Sequence, residues 1–200
     1  MKTARLRFDA ERHEYHVGKS RLPTVTEIIR GDTEAPRFWT PESRSRGHDL
    51  HRLWLEIDLC GFHASDEVSV YQGYCRAYIA YLRYAKPKWT ELEQPRANVR
   101  KEFAGTRDRV GVIGGHVTIA DLKSGGADQT HGIQLAGYDL LDSLGGVHRR
   151  RTNVYLHRDG TFRVIHQTND EDYSQFLRKL AEFKERGKQN ASTENRIARD

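Results

Sequence analysis

Residues Thr106 to Lys123 read Thr-Arg-Asp-Arg-Val-Gly-Val-Ile-Gly-Gly-His-Val-Thr-Ile-Ala-Asp-Leu-Lys. Two β-rich runs flank Gly114-Gly115, a pattern that predicts a hairpin with a two-residue turn. That turn would set Asp108 directly opposite Asp121. One face would carry Val110, Val112, Val117, Ile119, Asp108, Asp121 and Lys123, and the other would carry Arg107, Arg109, His116 and Thr118, which we expect to face solvent.

The two opposed carboxylates of this hairpin indicate a metal site. Directly opposed like charges destabilise a pair of strands, and two close carboxylates do not both ionise without cost. A divalent cation bound by hard oxygen ligands removes that cost. Because Lys123 lies on the same face as Asp121, the set suits the hydrolysis of a phosphodiester. An isolated Asp-x-Lys is also compatible with a surface ion pair at the end of a strand.

Several motifs taken together resemble the PD-(D/E)XK nuclease superfamily. They are Gly-Thr-Arg-Asp-Arg-Val-Gly around Asp108, Ile-Ala-Asp-Leu-Lys-Ser-Gly around Asp121, Gln134-Leu-Ala-Gly-Tyr138, Leu22-Pro-Thr-Val-Thr26 and Arg46-Gly-His-Asp-Leu-His51. The branch that they resemble contains RecB-type nuclease domains, CRISPR-adaptation nucleases and the mitochondrial genome maintenance exonuclease. The motifs cover roughly residues 15 to 141, and their combination is more specific than any one of them.

The resemblance implies a nuclease that uses Mg²⁺ or Mn²⁺. The implied catalytic residues are Asp108, Asp121, Lys123, Gln134 and Tyr138, and the implied metal ligands are His51, Asp108, Asp121 and the backbone carbonyl of Leu122. In the branch that the chain resembles, a histidine in a Gly-x-x-x-His helix completes the metal shell. Gly47 and His51 match that motif, so the resemblance implies His51 rather than His48 as the ligand. With only Cys60 and Cys75 in the chain, there is no four-cysteine set for an iron–sulfur cluster.

The candidate residues for nucleic-acid binding lie mostly before residue 50. Arg37 and Trp39 belong to a segment in which aromatic and arginine residues alternate, and such side chains can stack on and neutralise a single strand. Packing of Trp39 on the core is the alternative. Thr24 begins a capping box that ends at Glu27, so helix capping is the alternative for it. The complete candidate set is Arg37, Trp39, Thr24, Thr26, Arg46 and Ser124.

Composition limits the class of protein. The chain has 200 residues, a formal net charge of +5 and a pI of about 9.2, which favours a polyanionic partner such as DNA. We expect one nuclease domain over residues 1–187 and a polar, disordered tail over 188–200. No apolar run approaches a membrane span, and two cysteines suit a reducing compartment. We therefore expect a cytoplasmic protein of a bacterial or phage-infected cell.

Periodicity and turn signals predict the remaining elements. We expect helices over Arg46 to Cys60, Ser65 to Ala85 and about 129–143, with a final helix that Asn169 caps and Gly187 ends. Gln134 and Tyr138 lie one turn apart on the third helix. Asp159-Gly160 predicts a second hairpin.

We expect an α/β fold of the restriction-endonuclease type, a mixed central sheet with the Asp108–Asp121 hairpin at its centre and helices on both sides. The expected activity is that of a metal-dependent DNA exonuclease acting on single-stranded ends. Two alternatives stay open: a structure- or sequence-specific endonuclease with the same site, and a non-catalytic nucleic-acid-binding module on this scaffold.

Overall fold

A five-stranded mixed sheet forms the centre of the computed structural model, which describes residues 5–31, 40–61, 70–142 and 149–197. The sheet has the order β4-β5-β6-β7-β8, in which only β6 and β7 are parallel. The strands are β4 (Lys88–Asn98), β5 (Phe103–Ile113), β6 (His116–Lys123), β7 (Arg150–Leu156) and β8 (Phe162–Gln167). The expected mixed α/β fold is confirmed, and β6 is its middle strand.

Both predicted hairpins are present. The β5–β6 pair has the expected register, with Ile113 opposite His116 and Val110 opposite Ile119. Gly114 and Gly115 have φ values of 56° and 81°, a left-handed backbone that glycine adopts at no steric cost. The pairing ends at Arg109–Ala120, one step before the two carboxylates. Strands β7 and β8 form the second hairpin.

Helices α2 (Pro41–Cys60) and α3 (Gln72–Ala85) cover one face of the sheet. Their buried residues pack with those of β6 and β7 in one core cluster made of Leu50, Trp54, Ala77, Tyr78, Tyr81, Ala120, Leu122, Val154 and Leu156. Burying this much aliphatic and aromatic surface is the main source of stability for such a layer. This layer places His51, in the middle of α2, beside Glu93 of β4 and Asp108 of β5.

The expectation that Arg107, Arg109 and Thr118 face solvent is wrong, because all three are buried. Arg109 is fully buried, and its Nε donates to Asp58 Oδ2 at 2.6 Å. Arg107 is fully buried too, and it forms an ion pair with Asp142 at 2.9 Å. A buried guanidinium is tolerated when acidic partners compensate its lost hydration. Among the four residues predicted for this face, His116 is exposed as expected.

Helices α1 (Val25–Arg30), α4 (Thr130–Asp139) and α5 (Glu171–Ile197) form the layer on the opposite side of the sheet. Their core contains Val25, Ile28, Phe103, Ile133, Tyr138, Leu141, Phe176 and Leu180. Leu135 of α4 packs on Val110 and Ile119, which brings α4 over the apolar face of the predicted hairpin. The expected helices on both sides of the sheet are therefore confirmed.

A small antiparallel sheet precedes this core. It consists of β1 (Leu6–Asp9), β2 (Glu14–Val17) and β3 (Ser20–Leu22). The predicted capping box at the start of α1 is present: Thr24 Oγ1 accepts from the Glu27 N–H at 3.1 Å, and Glu27 Oε2 accepts from the Thr24 N–H at 2.8 Å. Thr24 also forms a bridge with Ala104, so the small sheet and α1 are joined to the start of β5.

Some predicted helix limits differ from the structure. Helix α2 begins at Pro41 rather than Arg46, because Thr40 caps it and proline is well suited to the first helical position. Helix α5 continues through Gly187 to Ile197, so the predicted stop at Gly187 is wrong. The predicted disorder of residues 188–200 stays a prediction. A glycine within a helix costs only about 1 kcal/mol relative to alanine. No helix among the described residues is both long and apolar enough to cross a membrane.

Candidate active site

Three side chains from separate elements meet at one point: His51 of α2, Glu93 of β4 and Asp108 of β5. His51 Nδ1 lies 3.2 Å from Glu93 Oε1 and 3.7 Å from Asp108 Oδ1. One donor atom from each of the three residues lies within 4.8 Å of the others. The side chains of His51, Glu93 and Asp108 are 30%, 24% and 9% exposed. An imidazole and two carboxylates that converge in a partly open position form a suitable ligand set for a divalent metal ion.

Charge interactions connect these three side chains. Burial alone would lower the pKa of His51, but the carboxylates of Asp108 and Glu93 outweigh it and raise that pKa to about 9. The pKa of the Asp108 carboxyl is raised, mainly by burial and also by the charge of Glu93. The positive charge of the His51 imidazolium therefore offsets the same two carboxylates that a bound metal cation would offset.

A second group continues from Asp121 along the same site. Lys123 Nζ lies 2.9 Å from Asp121 Oδ2, and it donates to Gln134 Oε1 at 2.9 Å. Gln134 Nε2 in turn lies 3.1 Å from Tyr138 Oη. On the other side of Asp121, Asn153 Nδ2 donates to Oδ2 at 2.8 Å. This chain of hydrogen bonds fixes the position of the Lys123 ammonium group from both α4 and the sheet.

The two groups are adjacent. The backbone N–H of Leu122, between Asp121 and Lys123, donates to Asp108 Oδ2 at 2.8 Å. Burial raises the pKa of the Asp121 carboxyl, Lys123 counteracts that effect, and the charge of Asp108 adds to it. The pKa of the Tyr138 phenol is raised well above its usual value, first by burial and then by the charges of Asp121 and Asp108. The site is thus a buried acidic centre with one ammonium group at its edge.

Glu93 is a site residue that the sequence did not indicate. The register pairs Leu92 with Arg109 and Gln94 with Arg107, which sets Glu93 opposite Asp108. Its φ of 44° is uncommon for a residue with a side chain, and Arg109 Nη1 donates to its Oε1 at 2.7 Å. The pairing of β4 with β5 keeps one register from Asn98–Phe103 to Glu91–Val110, and its shift lies beyond Glu93, between Trp89 and Glu91. Recognition of the β4–β5 pair as a hairpin with a turn over residues 99–102 would therefore have set Glu93 opposite Asp108.

Asp121 lies next to the donor cluster but is not one of its members. In the described part of the chain, the clustered donors are those of His51, Glu93 and Asp108. Both carboxylate oxygens of Asp121 instead accept hydrogen bonds from Lys123 or Asn153. The predicted role of Asp121 and of the Leu122 carbonyl as ligands stays a prediction.

The other predicted residues lie around this centre or apart from it. His48 is 84% exposed, in contrast to His51. Thr24 is buried as the cap of α1, while Thr26, Arg46 and Ser124 are half-buried. Ser124 follows directly after β6. Arg37 and Trp39 lie outside the described residues.

Comparisons with known proteins give a distant structural likeness. No protein-family model matches the chain, and no curated protein matches it. The chain is similar to the crystal structure of an alkaline exonuclease (LHK-Exo) from Laribacter hongkongensis, with 14% identity over 88% of this chain and 92% of that one and a TM-score of 0.49. It is also similar to LHK-Exo in complex with dAMP, with 14% identity over 88% of this chain and 93% of that one and a TM-score of 0.48. At these values the likeness assigns no role to any residue of this chain.

Proposed function

We propose that this chain is a metal-dependent DNA nuclease that hydrolyses phosphodiester bonds. The observation that carries the proposal is the contact between two groups: the His51–Glu93–Asp108 cluster and the Asp121–Lys123 pair, which the Leu122–Asp108 hydrogen bond joins. A cluster of metal donors next to a fixed ammonium group is an arrangement that suits hydrolysis of an anionic ester. Mg²⁺ or Mn²⁺ fits a set that contains two carboxylates and one imidazole.

His51, Glu93 and Asp108 would hold the cation, and Asp121 and the Leu122 carbonyl, the two ligands predicted from the sequence, would complete its shell. The bound cation would act as a Lewis acid toward the phosphate oxygens. Binding would require His51 to lose its proton.

Lys123 would orient the attacking water and offset the negative charge that builds up on the phosphate. Gln134 keeps the ammonium group in place, and Tyr138 fixes the Gln134 amide. The water gives a proton to solvent as its oxygen bonds to phosphorus. The bond from phosphorus to the leaving sugar oxygen breaks, and that oxygen takes up a proton from solvent.

The proposed substrate is single-stranded DNA, which the protein would cleave from its ends as an exonuclease. The proposed location is the cytoplasm of a bacterial or phage-infected cell. The support is the sequence resemblance stated above together with the net charge of +5. An endonuclease would share every residue of this site, so only the form of the substrate separates the two activities.

The test uses end-labelled linear single-stranded DNA, linear double-stranded DNA and circular single-stranded DNA, each with EDTA, Mg²⁺ or Mn²⁺. We expect loss of the linear single strand with metal and survival of the circle. Cleavage of the circle would favour the endonuclease. Absence of cleavage on all substrates, with DNA still bound, would favour the binding module. Lys123→Ala, purified in parallel, is the control for contaminating nuclease.

A further inference from the structure

His131 lies on α4, one turn before Gln134, and the two share a helix face with Tyr138. It is half-buried, and its Nδ1 lies 2.9 Å from the Tyr155 hydroxyl. The two ring centroids are 5.8 Å apart. The face of α4 that holds Lys123 therefore also carries an imidazole in a fixed orientation.

Tyr155 belongs to the same row of the sheet as Lys123. The parallel pairing of β6 and β7 sets Asp121 beside Asn153 and Lys123 beside Tyr155. Since side chains alternate along a strand, Asn153 and Tyr155 point to the face that carries the Asp121–Lys123 pair. Tyr155 is buried, so it does not reach a substrate itself. Its hydroxyl serves to orient the His131 ring.

The state of the imidazole follows from its surroundings. Burial and the nearby charge of Lys123 lower the pKa of His131, and Asp121 and Asp128 counteract them only in part. Burial raises the pKa of the Tyr155 phenol to about 12. A neutral phenol can donate its proton to Nδ1, which leaves the hydrogen of the neutral ring on Nε2. Among the described residues no hydrogen-bond partner of that Nε2 is found.

The row continues to the edge of the sheet. Tyr155 pairs with Arg163 of β8, the last strand. Arg163 is exposed, and its charge acts on the Tyr155 phenol. Lys123, His131 and Arg163 thus form a path of nitrogen donors from the acidic centre to the β8 edge. A spaced row of such donors is suited to successive phosphates of one strand.

We propose that His131, oriented by Tyr155, binds the phosphate next to the one that is cleaved, and that the nucleic-acid strand leaves the site across β7 toward Arg163. This inference rests on the proposed function, which does not involve His131, Tyr155 or Arg163. It gives the substrate strand a direction over the sheet.

The first test is equilibrium binding of a fluorescein-labelled single-stranded DNA 20-mer in EDTA, followed by fluorescence anisotropy. His131→Ala should weaken binding about tenfold or more, since a hydrogen bond to a charged group contributes that much. His131→Gln keeps an N–H donor and should restore part of the loss. His166→Ala is the matched control, because the His166 Nδ1 also lies near a hydroxyl, that of Thr152 at 3.0 Å, but on the other face of the sheet.

The second test locates the contact. Tyr155→Phe should weaken binding less than His131→Ala, and it should add nothing in the His131→Ala background. A neutral methylphosphonate can replace each phosphate linkage of the DNA in turn. At the linkage that His131 contacts, next to the cleaved one, this replacement should weaken binding to the wild type but not to His131→Ala. Arg163→Ala should lower the slope of log K against log salt by about 0.7, while Arg76→Ala on α3, an exposed arginine on the opposite layer, should leave it unchanged.

The outcomes separate this inference from the proposed function. If the wild type cleaves DNA but His131→Ala and His166→Ala bind and cleave like it, the inference fails and the nuclease stands. If the wild type binds without cleaving and His131→Ala binds weakly, the binding path stands and the nuclease fails. A wild type that neither binds nor cleaves DNA overturns both. With a cleaving wild type, His131→Ala should raise KM more than it lowers kcat.

Discussion

Replacing Asp108 with asparagine should uncouple metal binding from folding. The Asp108 carboxylate is one of three donors within 4.8 Å of one another, and its Oδ2 accepts the Leu122 N–H at 2.8 Å. An asparagine oxygen can accept the same hydrogen bond, so the strand pair should survive. The substitution also removes a buried negative charge close to Glu93. It loses the attraction between Asp108 and His51 as well, but the pKa of Asp108 is raised on balance by burial and Glu93, so removing the charge does not destabilise the fold. We therefore expect the metal-free variant to melt at or above the temperature of the wild type.

The metal response should behave in the opposite way. At a Mn²⁺ concentration of a hundred times Kd, binding to the folded state stabilises the wild type by about 2.7 kcal/mol. For a chain of this size that corresponds to a rise in Tm of about 5–10 °C. If losing one ligand weakens binding about 100-fold, the same Mn²⁺ concentration contributes only about 0.4 kcal/mol, or about 1 °C.

Differential scanning fluorimetry with EDTA and with a series of Mn²⁺ concentrations measures both effects. Glu102→Gln is the matched control, since Glu102 is an exposed acid that pairs with Lys184 at 2.6 Å and lies outside the cluster. It should keep the full rise. A wild type that does not respond to millimolar Mn²⁺, or an Asp108→Asn variant that keeps the full rise, would refute the metal site.

Three further predictions concern neighbouring residues. Asp121→Asn and Lys123→Ala should fold normally, but their rates of DNA cleavage should fall by about 100-fold or more. Circular dichroism measures the folding, and turnover of labelled DNA measures the cleavage rate. Wild-type turnover by either variant contradicts the assignment. His51→Ala and Glu93→Gln should each need at least about tenfold more Mn²⁺ for half-maximal cleavage, whereas His48→Ala, whose ring is exposed, should not; a larger defect in His48→Ala would reverse the choice of ligand. In EDTA, the pKa of His51 is raised from 6.5 to about 9 on folding, so its stabilising effect is complete below pH 6.5 and is lost as the pH rises through 9. The Tm of the wild type should thus exceed that of His51→Gln at pH 6 and converge with it by pH 10, and a constant difference would argue against a charged His51.

Several features of the chain follow from short stretches of sequence. The Gly114-Gly115 turn fixed the register of β5 and β6. A two-residue turn determines which residues of the two strands are paired, and therefore which face of the sheet each side chain occupies. The capping box from Thr24 to Glu27 was equally readable, since both of its hydrogen bonds lie within four residues. Asp159-Gly160 marked the second hairpin in the same way. The stop predicted at Gly187 failed because one glycine is a weak signal inside a long helix.

The faces of the sheet were harder to predict than its strands. A charged residue on a strand usually indicates solvent, and Arg107 and Arg109 were expected there. Their burial depends on acids far away in the chain, namely Asp142 for Arg107 and Asp58 for Arg109. Asp58 lies 51 residues from Arg109. No short sequence pattern predicts which acidic residue forms an ion pair with which arginine.

The sequence by itself determined that the chain has a central β5–β6 hairpin with Asp108 and Asp121 at one end, followed by Lys123 and a helix with Gln134 and Tyr138. Tertiary structure alone decided that Glu93 completes the cluster with His51, which is 42 residues away, and that Tyr155 of a parallel strand orients His131. The physical reason is that turns, caps and alternation act between neighbours in the chain. The approach of α2 to β4 and the parallel pairing of β7 with β6 depend instead on contacts between segments that are far apart in the chain.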